Sequence, residues 1–286
     1  MSIPIRHPME ILMKIGPILV PCDFSASSLA ALRFASELAA RYTAQLIVLT
    51  ILDSAQSEDK AQEEVLKGQF SKAATVWSAN GLKIRQLISR GKFVPVVLET
   101  IAKEKIGLVV LGTKGSRGWD GLFMGSHAEK IVRTSPVPVI AVRGESHLDQ
   151  VRNIVVPCNM AENESKAAKG IKDLQMLLHA QVHLLYVDTI GIGNEDKPLI
   201  QLREYGARLG FKNYTVNVAY AASETEGILH FAAEIGADMI AMATHGEKSP
   251  AKMYSPSIAA DVVNHGRVLT WTCPIGRSPD LMAMGG

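Results

Sequence analysis

Two pairs of small residues are the part of this sequence best suited to bind an anion. Gly112-Thr-Lys-Gly115 follows an apolar run, and after nine further residues Gly125-Ser126 opens a helical pattern. Glycine lets the backbone approach a ligand closely, and the N–H groups at a helix N-terminus attract negative charge. Because Ser126 adds a hydroxyl donor and Lys114 a positive charge, we predict that this loop binds phosphate.

Asp23 is the polar side chain that we expect opposite this loop. It follows the apolar run 17–22 and could accept hydrogen bonds from a ribose or a base. A simpler interpretation is also open, since glycines after a strand often only form turns and Lys114 can be a solvated loop charge. The complete spacing, its place after an apolar run and the presence of Asp23 favour a binding site. For Arg117 we favour the solvated charge.

The elements that would hold these residues alternate along the chain. Short apolar runs predict buried strands at 17–22, 45–52, 106–112 and 136–142, with a half-exposed strand at 82–89. Apolar residues at helical spacing lie between them, in one helix capped by Ser25, in others near 66–77 and 94–105, and in one from Ser126. Strands that alternate with helices indicate a parallel sheet covered on both faces, in which ligands bind beyond the carboxyl ends of the strands.

The same pattern occurs twice. Ile18-Leu-Val-Pro-Cys-Asp23 reappears 136 residues later as Ile154-Val-Val-Pro-Cys-Asn159. Leu111-Gly-Thr-Lys-Gly115 reappears 131 residues later as Met242-Ala-Thr-His-Gly246. The near-constant offset indicates two copies of one domain rather than a solenoid of short repeats.

The length and composition of the chain fit this duplication. Of its 286 residues 47% are hydrophobic and 20% charged, so that each half could bury a core of its own. We place the domains at 1–146 and 151–280, with a short polar linker at 144–150. Alternation over 213–220 predicts a strand at the edge of the second sheet.

Val-Pro-x-Asp at the end of the first strand and Gly-x2-Gly-x9-Gly-Ser after the fourth resemble the ATP-binding type of the universal stress protein family. The resemblance extends over nearly the whole chain, twice, as in tandem members. It implies an α/β fold of two Rossmann-like, adenine nucleotide alpha hydrolase-like domains, each a five-stranded parallel sheet of order 3-2-1-4-5 with helices on both faces. It also implies pairing through the last strand, here between the two copies, and leaves a homodimer open.

The resemblance further implies a site for ATP, with or without Mg²⁺, in the first domain. Asp23 would contact the nucleoside, the backbone of Ile51 the adenine, and the glycines with Ser126 the phosphates. The backbone N–H of His127 would also face the phosphates. The implied binding residues are Pro21, Asp23, Ile51, Leu111, Gly112, Lys114, Gly115, Gly125, Ser126 and His127.

The second copy lacks part of this motif. Ala243 replaces the first glycine and Pro256 the third, whereas Gly246 and Ser257 are retained and Asn159 replaces the aspartate. Proline has no N–H and a fixed φ, although it is accepted in the first turn of a helix. We therefore expect a structural second domain in which ATP binding is lost or much weakened.

Other classes of function have weaker support. The net charge of +2 argues against binding to nucleic acid or to anionic membranes. The sequence has neither a Gly-x4-Gly-Lys-Ser/Thr loop nor a Gly-x-Ser-x-Gly elbow, and its eight histidines are scattered, unlike the ligands of a zinc site. An odd count of three cysteines, without a recognisable signal peptide, favours a reducing cytoplasm.

Three functions remain open from the sequence. A nucleotide-binding stress or signalling module that acts through protein partners is favoured, because the loop is complete and no acid–base or nucleophile set accompanies it. A weak ATPase or phosphotransferase could use Asp23 to help hold a metal ion. A scaffold that binds no nucleotide would use both copies for assembly.

Overall fold

The computed structural model describes residues 15–52, 60–78, 81–113, 126–159, 165–191, 196–245 and 258–275. The strands of the first copy are β1 (Ile18–Pro21), β2 (Leu46–Leu52), β3 (Ile84–Arg90), β4 (Leu108–Thr113) and β5 (Val139–Arg143). Its helices are α1 (Ala26–Tyr42), α2 (Lys60–Ser78), α3 (Phe93–Lys103) and α4 (Ser126–Thr134).

The second copy repeats this order. Its strands are β6 (Asn153–Pro157), β7 (Gln181–Asp188), β8 (Tyr214–Tyr220), β9 (Met239–His245) and β10 (Leu269–Ile275). Its helices are α5 (Ser165–Leu178), α6 (Asp196–Leu209), α7 (Glu224–Glu234) and α8 (Ile258–His265). A short 3₁₀ helix, Leu148–Gln150, lies between the copies. None of the helices in the described ranges is long and apolar enough to span a membrane.

The strands of both copies join into one sheet. Its order is β3-β2-β1-β4-β5-β10-β9-β6-β7-β8, so that each copy has the expected order 3-2-1-4-5. Pairing is parallel within each copy and antiparallel only between β5 and β10, where Ile140 lies opposite Trp271. The predicted pairing of the two copies through their last strands is thus confirmed. β8 ends the sheet, as the alternation over 213–220 predicted.

Helix α1 shows why the predicted elements form where they do. Its start is capped by Ser25, whose hydroxyl accepts a hydrogen bond from the Ser28 N–H, as expected. Its end is set by Thr43, which adopts a left-handed conformation with φ 52°. Leu32 and Leu38 lie on the buried face of this helix, against the sheet.

The strand before the glycine loop begins later than predicted. Residues 106–112 read as one apolar run, but β4 begins at Leu108. The Gly107 N–H donates to the Pro17 carbonyl, and a Cβ on Gly107 would lie 2.6 Å from the Gly16 nitrogen. This close backbone contact turns the chain before the strand can start, and only glycine accommodates it.

A hydrophobic core extends across both copies. One cluster includes Ile18 of β1, Ile140 of β5, Ile154 of β6 and Trp271 of β10. Trp271 lies so close to α5 that a Cβ on Gly170 would be 2.7 Å from its ring. The two copies therefore share a core as well as a sheet.

The linker is less polar in its contacts than its sequence indicated. Leu148 and Val151 are buried, 2% and 1% exposed. The Glu37 carboxylate of α1 accepts a hydrogen bond from the Leu148 N–H at 2.7 Å and lies 2.9 Å from the His147 Nδ1. The linker is thus held on the first copy.

Candidate functional site

The carboxyl ends of β1 and β4 separate where the strand order reverses. β1 pairs with β2 along its whole length, as far as Pro21 opposite Leu49. With β4 it is in register only at Ile18 and Leu19. Such a reversal opens a crevice outside the carboxyl ends of the strands, which is where ligands bind in this class of fold. Pro21 lies buried at one side of the crevice and Leu111 at the other.

Asp23 lies exposed just after the carboxyl end of β1 and is held in place by two serines. Its Oδ1 accepts hydrogen bonds from the Ser25 N–H at 3.0 Å and from the Ser28 hydroxyl at 2.7 Å. Its Oδ2 has no hydrogen-bond partner among the residues that the structure describes. Partial burial raises the pKa of Asp23, but the hydrogen bonds from Ser25 and Ser28 outweigh burial and leave that pKa below its ordinary value. The carboxylate is therefore ionised at neutral pH.

The chain reverses sharply at this position. Phe24 has a φ of 61°, a left-handed conformation that is uncommon for a bulky residue. Its N–H donates to the Cys22 Sγ at 3.4 Å, and the Cys22 thiol donates to the Ser28 hydroxyl at 3.4 Å. Burial raises the pKa of the Cys22 thiol, which therefore stays protonated at neutral pH. These contacts fix the turn that presents Asp23.

Gly112 serves the packing of α1 against β4. We expected it to let the backbone approach a ligand, but a Cβ at this position would lie 2.1 Å from the Ser27 carbonyl oxygen. Any side chain here would collide with the backbone in the first turn of α1. Gly112 thereby lets the helix that follows Asp23 reach the end of β4.

Ile51 lies near the carboxyl end of β2, beside the end of β1. It pairs with Ser89 of β3, two residues beyond the pairing of Leu49 with Pro21. Its half-buried side chain packs against the hydrophobic cluster that includes the buried residues of α3. The backbone contact with adenine that the resemblance implies for Ile51 stays a prediction.

The implied phosphate side of the site begins with α4. Ser126 is the first residue of this helix, as predicted, and the N–H groups of its first turn have no carbonyl partner within the helix. The exposed His127 stacks its ring on Phe93 of α3, with 5.0 Å between the ring centroids. Lys114, Gly115 and Gly125 lie outside the described residues. The structure thus positions seven of the implied residues at or near the carboxyl ends of β1, β2 and β4: Pro21, Asp23, Ile51, Leu111, Gly112, Ser126 and His127.

The serines that hold Asp23 extend the set inferred from the sequence. Ser25 was identified as a helix cap, but its amide also binds the carboxylate, and Ser28 was not singled out. Asp side chains after a strand often accept a hydrogen bond from the backbone N–H two residues on, as in an Asx turn, and this tendency could have indicated the Ser25 contact. The Ser28 contact depends on the left-handed Phe24 and has no comparable signal.

The second copy keeps the strand ends but changes their chemistry. The Cys158 N–H donates to the Leu185 carbonyl just as the Cys22 N–H donates to the Leu49 carbonyl, both at 2.8 Å. Ala243, at the position of Gly112, lines a small pocket. That pocket is also lined by Val156, Pro157, Ala167, Ala168, Ile171, Tyr205 and Phe211. Gly246, Pro256 and Ser257 lie outside the described residues.

Comparison with known proteins gives the family. The sequence model of the universal stress protein family matches residues 14–143 and again 150–271. A universal stress protein of Methanocaldococcus jannaschii is 29% identical over 140 residues, which cover 44% of this chain and 81% of that protein. Another, from Thermus aquaticus, is 33% identical over 86 residues, covering 28% of this chain and 63% of that protein.

The fold is also found in solved structures. A universal stress protein of Archaeoglobus fulgidus superimposes with a TM-score of 0.76 at 19% identity, over 91% of this chain and 98% of that one. A protein of unknown function from Pseudomonas aeruginosa superimposes with a TM-score of 0.67 at 15% identity, over 95% of this chain and 96% of that one. Since the family model matches most of the sequence in two consecutive stretches, the protein belongs to the universal stress protein family and carries two copies of its domain in tandem.

Proposed function

We propose that the first copy binds one molecule of ATP and that the protein acts as a nucleotide-dependent stress or signalling module through protein partners. Asp23 would contact the nucleoside, and the backbone of Ile51 the adenine. The loop from Gly112 to Gly125 and the first turn of α4 would hold the phosphates, with Lys114 and any bound Mg²⁺ offsetting their charge. The three cysteines are free and buried, which fits a reducing compartment, and we propose the cytoplasm.

The observation that carries the proposal is the state of Asp23. One carboxylate oxygen is occupied by Ser25 and Ser28, so the side chain is oriented before any ligand arrives. The other oxygen has no hydrogen-bond partner in the described part of the chain, and Asp23 follows β1, the strand at which the order reverses. An ionised, preoriented acceptor suits the hydroxyl groups of a ribose or the amino group of a base.

We propose that the second copy contributes no nucleotide site. Its equivalent of Asp23 is the neutral Asn159, and Ala243, one of the residues that line a small pocket, replaces Gly112. Pro256 also removes an N–H from the position of Gly125. The expected stoichiometry is therefore one ATP per chain.

Titration calorimetry of the full chain with ATP and Mg²⁺ tests this proposal. Binding with a stoichiometry near one is expected. Asp23→Ala should weaken affinity by about ten- to a hundredfold, as when one hydrogen bond to a charged group is lost. Asn159→Ala is the matched control in the second copy and should leave the affinity unchanged. At a ligand concentration a hundred times the dissociation constant, the free energy of unfolding should rise by about 2.7 kcal/mol.

A reciprocal pair of variants tests the assignment of the phosphate loop. Gly125→Pro copies the change found in the second copy and should abolish binding, whereas Pro256→Gly should leave one site per chain. Two equivalent sites in the wild type would contradict the proposed difference between the copies. An absence of binding and of thermal stabilisation with ATP, ADP and AMP would contradict the nucleotide function itself.

A further inference from the structure

The two outer edges of the ten-stranded sheet differ in charge. β3 at one end carries Arg85 and Arg90, which form ion pairs with Glu104 and Glu63. β8 at the other end reads Tyr-Thr-Val-Asn-Val-Ala-Tyr and has neither a charged residue nor a proline. Exposed edge strands are normally protected from pairing by such residues. β3 is protected in this way and β8 is not.

The backbone of β8 has hydrogen-bonding groups directed away from the sheet. The Val182 N–H donates to the Asn213 carbonyl, and the Ala221 N–H donates to the Asp188 carbonyl. The odd-numbered residues of this strand therefore face β7, and the N–H and C=O groups of Val216 and Val218 point outward. Within the described residues these outward groups have no partner, since β7 is the neighbour of β8 on one side only.

The sequence of β8 is nearly symmetric about its middle residue. Asn217 is the centre, with Val216 and Val218 on either side of it, Thr215 and Ala219 next, and a tyrosine at each end. A strand of this kind is self-complementary in the antiparallel sense. Turned about a twofold axis at Asn217, it would place valine opposite valine and tyrosine opposite tyrosine, pairs that stabilise neighbouring strands.

We propose that β8 pairs antiparallel with the β8 of a second copy of this chain, about a twofold axis at Asn217. The outward groups of Val216 would bond those of the partner's Val218, and Asn217 would face the partner's Asn217 in a non-hydrogen-bonded pair. Such an interface uses the same surface of both chains, as twofold dimers require. It would join two ten-stranded sheets into one.

The surroundings of β8 agree with an interface. The described chain has five exposed large hydrophobic side chains: Val65, Met176, Ile190, Ile200 and Tyr220. Three of them, Ile190, Ile200 and Tyr220, belong to the unit formed by β7, α6 and β8. Among the described residues of the first copy, Val65 on α2 is the one such side chain. Of the three, Tyr220 is on β8 itself, and the other two lie in the connection between β7 and β8, as expected near a contact between proteins.

Cysteine substitution tests the register. At a non-hydrogen-bonded antiparallel pair the Cα atoms are about 4.5 Å apart, within disulfide range. Asn217→Cys should therefore cross-link two chains rapidly under a mild thiol oxidant. Thr215→Cys is the matched control on the same strand and face, and its partner copy would lie about 13 Å away, four residues along the strand. The native cysteines are buried at 2% to 5% exposure and should not compete.

Light scattering of the full chain without ATP tests the interface itself. Val218→Lys should raise the dimer dissociation constant about tenfold, because it replaces both symmetry-related valine pairs. Ile88→Lys on β3 is the control at the other edge and should leave the mass unchanged.

A wild-type mass of one chain at every concentration tested would overturn the proposal. Equal cross-linking of Asn217→Cys and Thr215→Cys would overturn it as well. Hydrogen exchange that finds the Val216 and Val218 amides protected in the monomer would show that another part of the chain covers the edge, and would also count against the proposal. All of these results are independent of nucleotide binding.

Discussion

At the scale of single residues, Asp23 combines two demands that usually conflict. A ligand-binding carboxylate should be accessible, yet an accessible side chain is normally mobile and loses conformational entropy on binding. The bonds from the Ser25 amide and the Ser28 hydroxyl restrict Asp23 in advance, and the left-handed Phe24 supplies the turn that makes both bonds reachable. The conformation of the Asp23 side chain is therefore fixed by Ser25 and Ser28 and does not require a ligand.

The pH dependence of stability should reveal this arrangement. Because the folded-state pKa of Asp23 is lowered, its contribution to stability is complete above the unfolded pKa of about 4 and is lost as the pH falls through the folded value. In urea unfolding without ATP, the gap in unfolding free energy between the wild type and Asp23→Asn should be largest above about pH 4 and should narrow in more acid solution. A gap that stays constant down to about pH 3 would contradict this role.

Substitution of Gly112 should destabilise the fold even when no ligand is present. A methyl group there would lie 2.1 Å from the Ser27 carbonyl oxygen. We expect Gly112→Ala to lower the free energy of unfolding by about 1–3 kcal/mol, the range for overpacking, in urea denaturation. Gly68 of α2 is the control, because a Cβ there meets nothing within 4 Å. Gly68→Ala should be neutral or stabilise by up to about 1 kcal/mol. Equal effects at both glycines would refute the packing role.

At the scale of elements, the sequence was sufficient where local rules and burial agree. Apolar runs and helical spacing predicted the strands and helices to within a few residues, and Ser25 predicted a helix start. Predictions fell short where distant backbones meet. The late start of β4 depends on contact between Gly107 and Gly16, and the hydroxyl contact of Ser28 depends on how α1 leaves β1. No short window of sequence contains these contacts.

The linker is a further element whose role depends on distant contacts. Glu37 of α1 bonds the Leu148 N–H and lies beside His147, and Leu148 is buried. Glu37→Ala should leave a buried N–H unpaired and lower the free energy of unfolding by about 1–3 kcal/mol in urea denaturation. Glu145→Ala, which removes an exposed ion pair with Arg33 at 3.8 Å, should cost less than about 1 kcal/mol. Equal losses of unfolding free energy in the two variants would show that the contacts of the linker do not stabilise the fold.

At the scale of the whole molecule, the two copies form a single structural unit with one sheet and a shared core. β5 and β10 join the two sheets, and the Arg143 guanidinium donates to the Asn264 carbonyl at 2.9 Å across the same seam. Val263 of α8 packs into a cluster otherwise formed by the first copy. The second copy is required structurally whether or not it binds a nucleotide, since without it the β5 edge and this apolar surface would be exposed.

This architecture predicts cooperative unfolding of the entire chain. A chain of 286 residues would ordinarily be expected to unfold domain by domain. Here Ile140 of the first copy and Trp271 of the second lie opposite each other at the seam, 0% and 4% exposed, within one core. With Trp77 and Trp119 replaced by phenylalanine, the fluorescence of Trp271 should report on that seam alone.

In urea, the Trp271 fluorescence transition should coincide with the loss of far-ultraviolet circular dichroism. Ile140→Ala, which leaves a cavity at the seam, should lower the free energy of unfolding by about 2–5 kcal/mol and shift both transitions together. Two separate transitions, with only the first moved by Ile140→Ala, would mean that the copies fold independently. Coincident transitions would instead show that the second copy lends stability to the first, because neither could then unfold while the other stays folded.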